Sequence, residues 1–120
     1  MTERDIQNDI LREISRGNVR LFRQNAGFAW QGTVIEQTPT RLVLANPRPL
    51  KMGAPGISDL GGWVTVDGIA IYTALEIKSA RGRATSEQLA FIDTVRRAGG
   101  RAGIAKSVED ARRIISGISE

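Results

Sequence analysis

The sequence contains no cysteine and no histidine. Without cysteine the chain can form neither a disulfide framework nor a thiolate zinc site. Without histidine it lacks the commonest general base and metal ligand. Any catalysis must therefore use carboxylates, lysine, hydroxyl groups or a hard metal ion.

Long hydrophobic runs are also missing. No apolar stretch approaches the roughly 20 residues of a membrane-spanning helix, and the N-terminus, MTERDIQNDILREI, is charged and periodic rather than signal-like. We therefore expect a cytoplasmic, intracellular protein with no membrane partner. With 120 residues and 41% hydrophobic content, we expect residues 1–120 to form a single domain.

Negative charge is in deficit, since 17 Lys and Arg residues outweigh 13 Asp and Glu residues. The excess is concentrated, because the segment from Arg12 to Lys51 holds seven basic residues against two acidic ones. Such a concentration is typical of proteins that bind nucleic acid. An ordinary solvated basic surface explains it equally well.

Three helices are predicted from periodicity and end signals. The first covers Thr2 to Arg16, with Thr2 as N-cap and Gly17 as its end. The second is ATSEQLAFIDTVRRAGG, in which Leu89, Ile92 and Val95 should face a core. The third is the capped segment SVEDARRIISG.

Strands are predicted between these helices. NVRLFRQN and RAGIAK are short strands, and WVTV and IAIYTALEIK flank Asp67-Gly68, the dipeptide of a type I′ hairpin turn. TVIEQT and RLVLAN are weaker strand candidates, whereas NPRPLKMGAPG is too rich in Pro and Gly for either regular element and is predicted as a loop. The pattern predicts one α/β domain, with strands and helices in mixed order.

Two charges interrupt the apolar strand at its end. Side chains alternate along a strand, so Glu76 and Lys78 share a side. An ion pair in water, worth about 0–1 kcal/mol, would explain them. Asp59 lies beyond a Gly/Pro-rich loop, and the hairpin can return it to Glu76. Asp59 alone could be a turn residue, but the two carboxylates together suit a hard divalent cation such as Mg²⁺ at a solvent-facing strand end.

These residues resemble a known family. GISDL, followed by ALEIKSARGRATSEQ, is similar to the Asp … Glu-x-Lys core of the restriction-endonuclease-like, or PD-(D/E)XK, nucleases. In particular, they resemble VRR-NUC (virus-type replication-repair nuclease) domains of the free-standing phage type. ERDIQ, FRQNAG and GGRAGIAKSVEDARRII extend the resemblance over nearly the whole chain. It implies a mixed central β-sheet flanked by helices.

The resemblance also implies a catalytic site. Asp59 and Glu76 would bind Mg²⁺ or Mn²⁺, the backbone carbonyl of Ile77 would complete the shell, and Lys78 would position the attacking water and stabilise charge on the phosphate. Glu3 would assist the metal site from the first helix, although Asp5, Asp9 and Glu13 lie on the same helix and a first-turn acid also stabilises the helix dipole.

Gln88 matches the family's helix glutamine, which would face the active site near Lys78. It also stands three residues after Thr85, as in a capping box, so either role fits. The expected contacts with DNA are weaker assignments. They fall on five residues: Arg23, Asn25, Lys51, Arg81 and Arg83.

The resemblance implies a metal-dependent endonuclease that hydrolyses DNA phosphodiester bonds. A domain this small has little means of reading bases, so branched DNA such as a Holliday junction is the expected substrate. A homodimer would match the twofold symmetry of a junction, and the apolar segments between Phe28 and Leu44 could supply its surface or form an extra hairpin against the core. The alternatives are a non-catalytic, basic DNA-binding module and a structural protein.

Overall fold

The computed structural model describes residues 1–24, 28–51 and 53–117. The described chain contains three helices and six strands. Their order is α1 (Glu3–Ile14), β1 (Val19–Arg23), β2 (Phe28–Thr38), β3 (Arg41–Lys51), β4 (Leu60–Val66), β5 (Ile69–Ile77), α2 (Ser86–Arg97), β6 (Arg101–Ala105) and α3 (Val108–Ser116).

Four strands form the central sheet in the order β1-β4-β5-β6. The pairs β1–β4 and β4–β5 are antiparallel, whereas β6 runs parallel to β5. The predicted mixed sheet with flanking helices is therefore confirmed. So is the hairpin turn, because Asp67 (φ 51°) and Gly68 (φ 78°) both have the positive φ that a type I′ turn requires.

Helices cover both faces of this sheet. On one face α1 and α3 pack in the larger core, to which β5 contributes Leu75 and Ile77. On the other face α2 packs over Ala74 of the same strand. Since side chains alternate along β5, Glu76 lies on the α2 face with Ala74. This alternation decides the surroundings of the candidate site.

The predicted helix ends and core positions are largely confirmed. Thr2 caps α1, with its hydroxyl accepting from the Asp5 N–H, and Ile92 and Val95 of α2 are buried. The prediction that Leu89 faces the core is wrong, because 51% of this residue is exposed. The sheet ends at β6, so Leu89 faces an open cavity beside that strand rather than a further strand.

β2 and β3 form a separate antiparallel ribbon, here called the arm (Phe28–Lys51). The sequence predicts a loop over NPRPLKMGAPG, and this prediction is wrong for residues 46–51, because β3 continues to Lys51 through Pro47 and Pro49. Each strand of a two-stranded ribbon has an open edge, where the missing proline N–H costs no ladder bond. A register shift next to Gly32 also accommodates the prolines.

The arm projects from the rest of the chain. In the described residues, β2 and β3 pack closely only against each other. The molecule measures 52 × 33 × 29 Å with a radius of gyration of 17.0 Å, against about 14 Å for a compact chain of this length. The apolar segment between Phe28 and Leu44 is therefore part of a hairpin, as one of the two alternatives predicted, but this hairpin does not lie against the core.

None of the helices in the described ranges is long and apolar enough to cross a membrane.

Candidate active site

The Asp59 carboxylate lies against the end of β5. Asp59 immediately precedes β4, which pairs with β5 from Leu60 opposite Leu75, so the hairpin returns it to the last residues of that strand. Its Oδ2 accepts a hydrogen bond from the Ile77 N–H at 2.8 Å. The predicted approach of Asp59 to the Glu-x-Lys strand end is therefore present.

The Glu76 carboxyl is buried, with only 2% of the residue exposed. Burial first, and then repulsion from the nearby Asp59 carboxylate, raise the pKa of Glu76 to about 8, against the opposing effect of Lys78. The expectation of a solvent-facing carboxylate is wrong for Glu76. Its place on the α2 face of β5 puts it beneath the start of that helix, which an isolated strand pattern cannot reveal.

One Glu76 oxygen has no partner. Within the described residues Oε1 is buried and accepts no hydrogen bond, and the hydroxyl of Ser58, next to Asp59, is also buried without a partner. A buried carboxylate oxygen is costly to leave unpaired. Mg²⁺ and Mn²⁺ prefer oxygen ligands. The vacant Glu76 Oε1 and the Asp59 carboxylate beside it are ligands of this kind.

Lys78 lies beside the same carboxyl group. Its Nζ is 3.5 Å from Glu76 Oε2, and 14% of its side chain is exposed. The pair is therefore not the exposed ion pair that the sequence alone allowed. The lysine also partly offsets the repulsion between Glu76 and Asp59.

The contacts of Gln88 fit both of the roles considered for it. Its Oε1 accepts from the Thr85 N–H at 2.9 Å and its own N–H donates to the Thr85 hydroxyl at 3.1 Å, completing the capping box of α2. Its Nε2 donates to Glu76 Oε2 at 3.1 Å. The cap of the helix and the Glu76 carboxyl are therefore held by one side chain.

The loop before Asp59 passes close to the same helix. Gly56, at φ +71°, leaves no room for a side chain, because a Cβ there would come within 2.2 Å of the Glu87 carbonyl. This close approach joins the loop to the first turn of α2. It brings Asp59 and Gln88, which are distant in sequence, to one site.

Gln24 is a residue that sequence reasoning left without a role. Its N–H donates to the Asp59 carbonyl at 2.9 Å, its Nε2 donates to the Ser58 carbonyl at 3.0 Å, and the Tyr72 hydroxyl donates to its Oε1 at 2.7 Å. Gln24 therefore ties β1 to the backbone at Asp59. Gln24 belongs to the FRQNAG segment of the resemblance, but no neighbouring residue in the sequence indicated its hydrogen-bond partners.

Glu3 does not join the two site carboxylates in a metal-holding cluster of the described residues. Arg23, at the site end of β1, donates to Gln7 and Asn8, so the start of α1 lies at that end of the sheet. However, α1 covers the face opposite Glu76, and Glu3 is exposed. No three acidic side chains in the described ranges form a cluster that could hold a metal.

The five residues predicted to contact DNA are differently placed. Arg23 is exposed and bonded to α1, and Arg81 and Arg83 are exposed in the segment between Lys78 and α2. Asn25 lies outside the described residues, as does the side chain of Lys51. Arg81 and Arg83 therefore combine exposure with a place in the segment that directly follows Lys78.

Comparison with known proteins identifies the family of the chain. No curated protein and no solved structure matches the chain. The family model described as the VRR-NUC domain matches residues 1–109 of 120. Because that match spans most of the sequence, the chain belongs to the VRR-NUC family, and its function is that of a nuclease-type protein with DNA as its partner.

Proposed function

We propose that the protein is a metal-dependent endonuclease that hydrolyses phosphodiester bonds in DNA at the Asp59, Glu76 and Lys78 site. The observation that carries the proposal is the buried, unpartnered Glu76 Oε1 beside Asp59. A buried oxygen without a partner is costly, and a divalent cation held here would satisfy it. In this proposal residues 1–120 form one nuclease domain, which acts in the cytoplasm of a bacterial or phage-infected cell.

The cofactor of this proposal is Mg²⁺ or Mn²⁺. Asp59 and Glu76 would hold it, together with the backbone carbonyl of Ile77. The N–H and C=O of a strand residue point to the same side, and the Ile77 N–H is directed at Asp59, so its carbonyl faces that side too. When bound, such a cation lowers the pKa of a water and stabilises negative charge on a phosphate.

The chain's own residues supply placement and charge. Lys78, on the same side of the strand end as Glu76, would orient the attacking water and stabilise charge on the phosphate oxygens. Gln88 holds the Glu76 carboxyl through Oε2, which leaves Oε1 for the ion. Glu3 remains a proposed assistant to the metal site with no contact to support it.

Phosphate contacts outside the site are proposed for the five residues predicted to contact DNA. Arg81 and Arg83 are supported by their exposure in the segment that follows Lys78. Arg23 is supported only by its position at the site end of β1. Asn25 and Lys51 stay predictions from the sequence.

The substrate that we propose is branched DNA such as a Holliday junction, cut by a homodimer. Val34 lies opposite Leu44 in the arm, and Leu42 stands two residues along on the same face. Val34 and Leu42 are more than half exposed. A two-stranded hairpin alone is marginally stable in water, so a second copy that covers this face would stabilise it.

The experiment that tests catalysis compares cleavage of four-way junctions and linear duplexes in Mg²⁺, in Mn²⁺ and in chelator. We expect metal-dependent cutting, preferentially of the junction, and none by Asp59→Ala. DNA binding without cleavage in any metal would instead support the second candidate, a non-catalytic basic DNA-binding module. Cleavage of linear and branched DNA at equal rates would reject the proposed preference for branched DNA but not the proposed nuclease activity.

The dimer is tested separately by light scattering at micromolar concentration. Leu42→Asp should convert a dimer into a monomer, because it places a charge on the apolar face of the arm. Thr38→Asp is the control, an added charge at another exposed position of the arm. A monomeric wild-type protein, or a dimer that Leu42→Asp leaves intact, would reject the arm as the interface.

A further inference from the structure

An open groove runs along the outer edge of β6. This strand ends the sheet, and α2 and α3 flank it on opposite faces. The space between them has a cavity volume of about 740 Å³. We call it the β6 groove; its walls include Leu89, Arg96, Arg101, Ile104, Lys106 and Ile114.

Three cations in the β6 groove are held by neutral backbone groups. Arg96 Nε donates to the Ala102 carbonyl at 2.8 Å, Lys106 Nζ donates to the Ala80 carbonyl at 3.1 Å, and Arg101 Nη1 donates to the Ile115 carbonyl. No carboxylate of the described residues forms an ion pair with any of the three. Their positive charge is therefore positioned but not neutralised.

The remaining charges of the groove nearly cancel. Asp110 is its one carboxylate among the described residues, and it pairs with Arg113. Its other oxygen accepts from the Lys106 N–H at 2.9 Å. The groove consequently keeps an excess of about three positive charges, which an anionic chain would neutralise.

Addition of a peptide strand to the β6 edge is the competing use of such a groove. The Arg96 guanidinium already donates a hydrogen bond to the outward-facing Ala102 carbonyl. Charged side chains at the edge of a sheet commonly prevent the pairing of a further strand. A guanidinium has five N–H donors and only one is used here, so the others can bind phosphate oxygens. The groove chemistry therefore favours a phosphate backbone over a peptide.

The β6 groove meets the candidate active site at one end. The Lys78 N–H donates to the Ala105 carbonyl at 3.1 Å, and Lys106 bonds to Ala80, two residues after Lys78. From Lys106 to Arg101 the strand extends roughly 16 Å at 3.3 Å per residue. Along the helix axis of B-form DNA that length corresponds to about five base pairs at 3.4 Å each.

We propose that the β6 groove binds the phosphate backbone of the DNA strand as it leaves the active site. The direction of the strand rests on the proposed nuclease function, whereas the binding of DNA in the groove does not. Arg96, Arg101 and Lys106 contact successive phosphates without reading bases. The contribution to affinity is therefore independent of sequence and dependent on salt.

The test measures DNA binding by fluorescence anisotropy in Ca²⁺ over a series of salt concentrations. The groove variant is R96Q/R101Q/K106Q, in which glutamine keeps a donor for each carbonyl. The matched control is R12Q/R97Q/R112Q, which removes the same charge from exposed arginines that pair with carboxylates elsewhere. Melting temperatures establish that both variants are folded.

The expected result is weaker binding by the groove variant and a shallower dependence of log K on log salt. Each lost phosphate contact reduces the slope by about 0.9 on duplex DNA, so three contacts reduce it by roughly 2 to 3. The control should keep the wild-type slope. Equal affinities and slopes for the two variants would overturn the proposal. If the triple variant does not fold, Lys106→Gln alone should reduce the slope by about 0.9, and an unchanged slope would reject it.

Because binding is measured without cleavage, this test is separate from that of the nuclease. A wild-type protein that binds DNA through the groove but cuts none would reject the proposed function and support the groove. A protein that cuts DNA and binds it with a slope that the groove residues do not affect would reject the groove alone.

Discussion

The Gln88 amide joins the N-terminal cap of α2 to the buried Glu76 carboxyl. Its oxygen accepts from the Thr85 N–H, so its nitrogen is the end that faces Glu76, to which it donates at 3.1 Å. Capping therefore fixes the orientation of the amide. A residue that would ordinarily serve helix stability also holds one oxygen of a candidate metal ligand.

Gln88→Glu separates these two roles. Glutamate can still complete the capping box, but it replaces the donor to Glu76 with a negatively charged oxygen. We expect wild-type-like helix stability and a loss of roughly 10- to 100-fold in Mn²⁺ affinity or cleavage rate, as for other residues that orient a metal ligand. Calorimetric Mn²⁺ titration and initial cleavage rates measure the two quantities.

Thr85→Ala is the control for the Gln88 experiment. It removes the capping hydroxyl, at a cost of about 1 kcal/mol in stability, and keeps the donor to Glu76. It should lower the melting temperature more than it lowers Mn²⁺ affinity. If Gln88→Glu behaves like Thr85→Ala, Gln88 serves only the helix.

The raised pKa of Glu76 predicts an unusual pH dependence of stability. In the folded, metal-free protein the pKa of Glu76 is about 8, against an ordinary value of 4.5. At a pH between these two values, Glu76 holds a proton in the folded state and releases it in the unfolded chain. Stability must then fall as pH rises through this window. Thermal unfolding in chelator from pH 5 to pH 8.5 should show this decline.

Glu76→Gln supplies the comparison, because glutamine imitates the protonated carboxyl and does not titrate. This variant should be more stable than the wild-type protein at pH 8 and should lose the decline. Adding Mg²⁺ to the wild-type protein at pH 8 should recover stability, since the ion favours the ionised carboxylate. Parallel pH profiles of the two metal-free proteins would contradict the burial of an ionisable group at this position.

The sequence predicted the parts of the site that depend on local order. Alternation along β5 placed Glu76 and Lys78 on one side, and the Asp67-Gly68 turn returned Asp59 to them. The burial of Glu76 was not predictable, because it depends on how α2 lies across the sheet. The partners of Gln24 were equally hidden, since Tyr72 is 48 residues away.

The arm shows a different limit of sequence reasoning. Pro and Gly within NPRPLKMGAPG are typical of loops, and this rule fails for Pro47 and Pro49 because a two-stranded ribbon has an open edge for each strand. Propensity does not state how many neighbours a strand has. Leu89 failed for a related reason, since its helical spacing is that of a core residue but the sheet ends before reaching it.

Lys78→Met tests the proposed role of the lysine apart from metal binding. Methionine keeps an unbranched apolar chain of similar length and removes the nitrogen that lies 3.5 Å from Glu76. We expect Mn²⁺ affinity within a few-fold of the wild-type value and a fall in cleavage rate of roughly 10²- to 10³-fold, as for loss of a group that stabilises transition-state charge. Single-turnover cleavage at saturating metal measures this rate. A wild-type rate would refute the role given to Lys78.

Gly61 and Gln24 should behave as one coupled unit. A Cβ at Gly61 would come within 2.2 Å of the Gln24 side-chain amide, so Gly61→Ala must displace that amide from the Ser58 carbonyl and the Tyr72 hydroxyl. We expect a lower melting temperature and slower metal-dependent cleavage, because the backbone at Asp59 loses a support. Tyr72→Phe should have a smaller effect in the same direction, since it removes only one of these bonds.

A double-mutant cycle measures the steric clash between a side chain at position 61 and the Gln24 amide. In a Gln24→Ala background the amide is absent, so Gly61→Ala should then cost less than it does in the wild-type protein. Contacting residues typically show coupling of about 0.5–3 kcal/mol in such cycles. Unfolding free energies of the four proteins measure it, and their cleavage rates show whether the loss follows the position of Asp59. Strictly additive effects on stability would mean that Gly61 does not make room for Gln24.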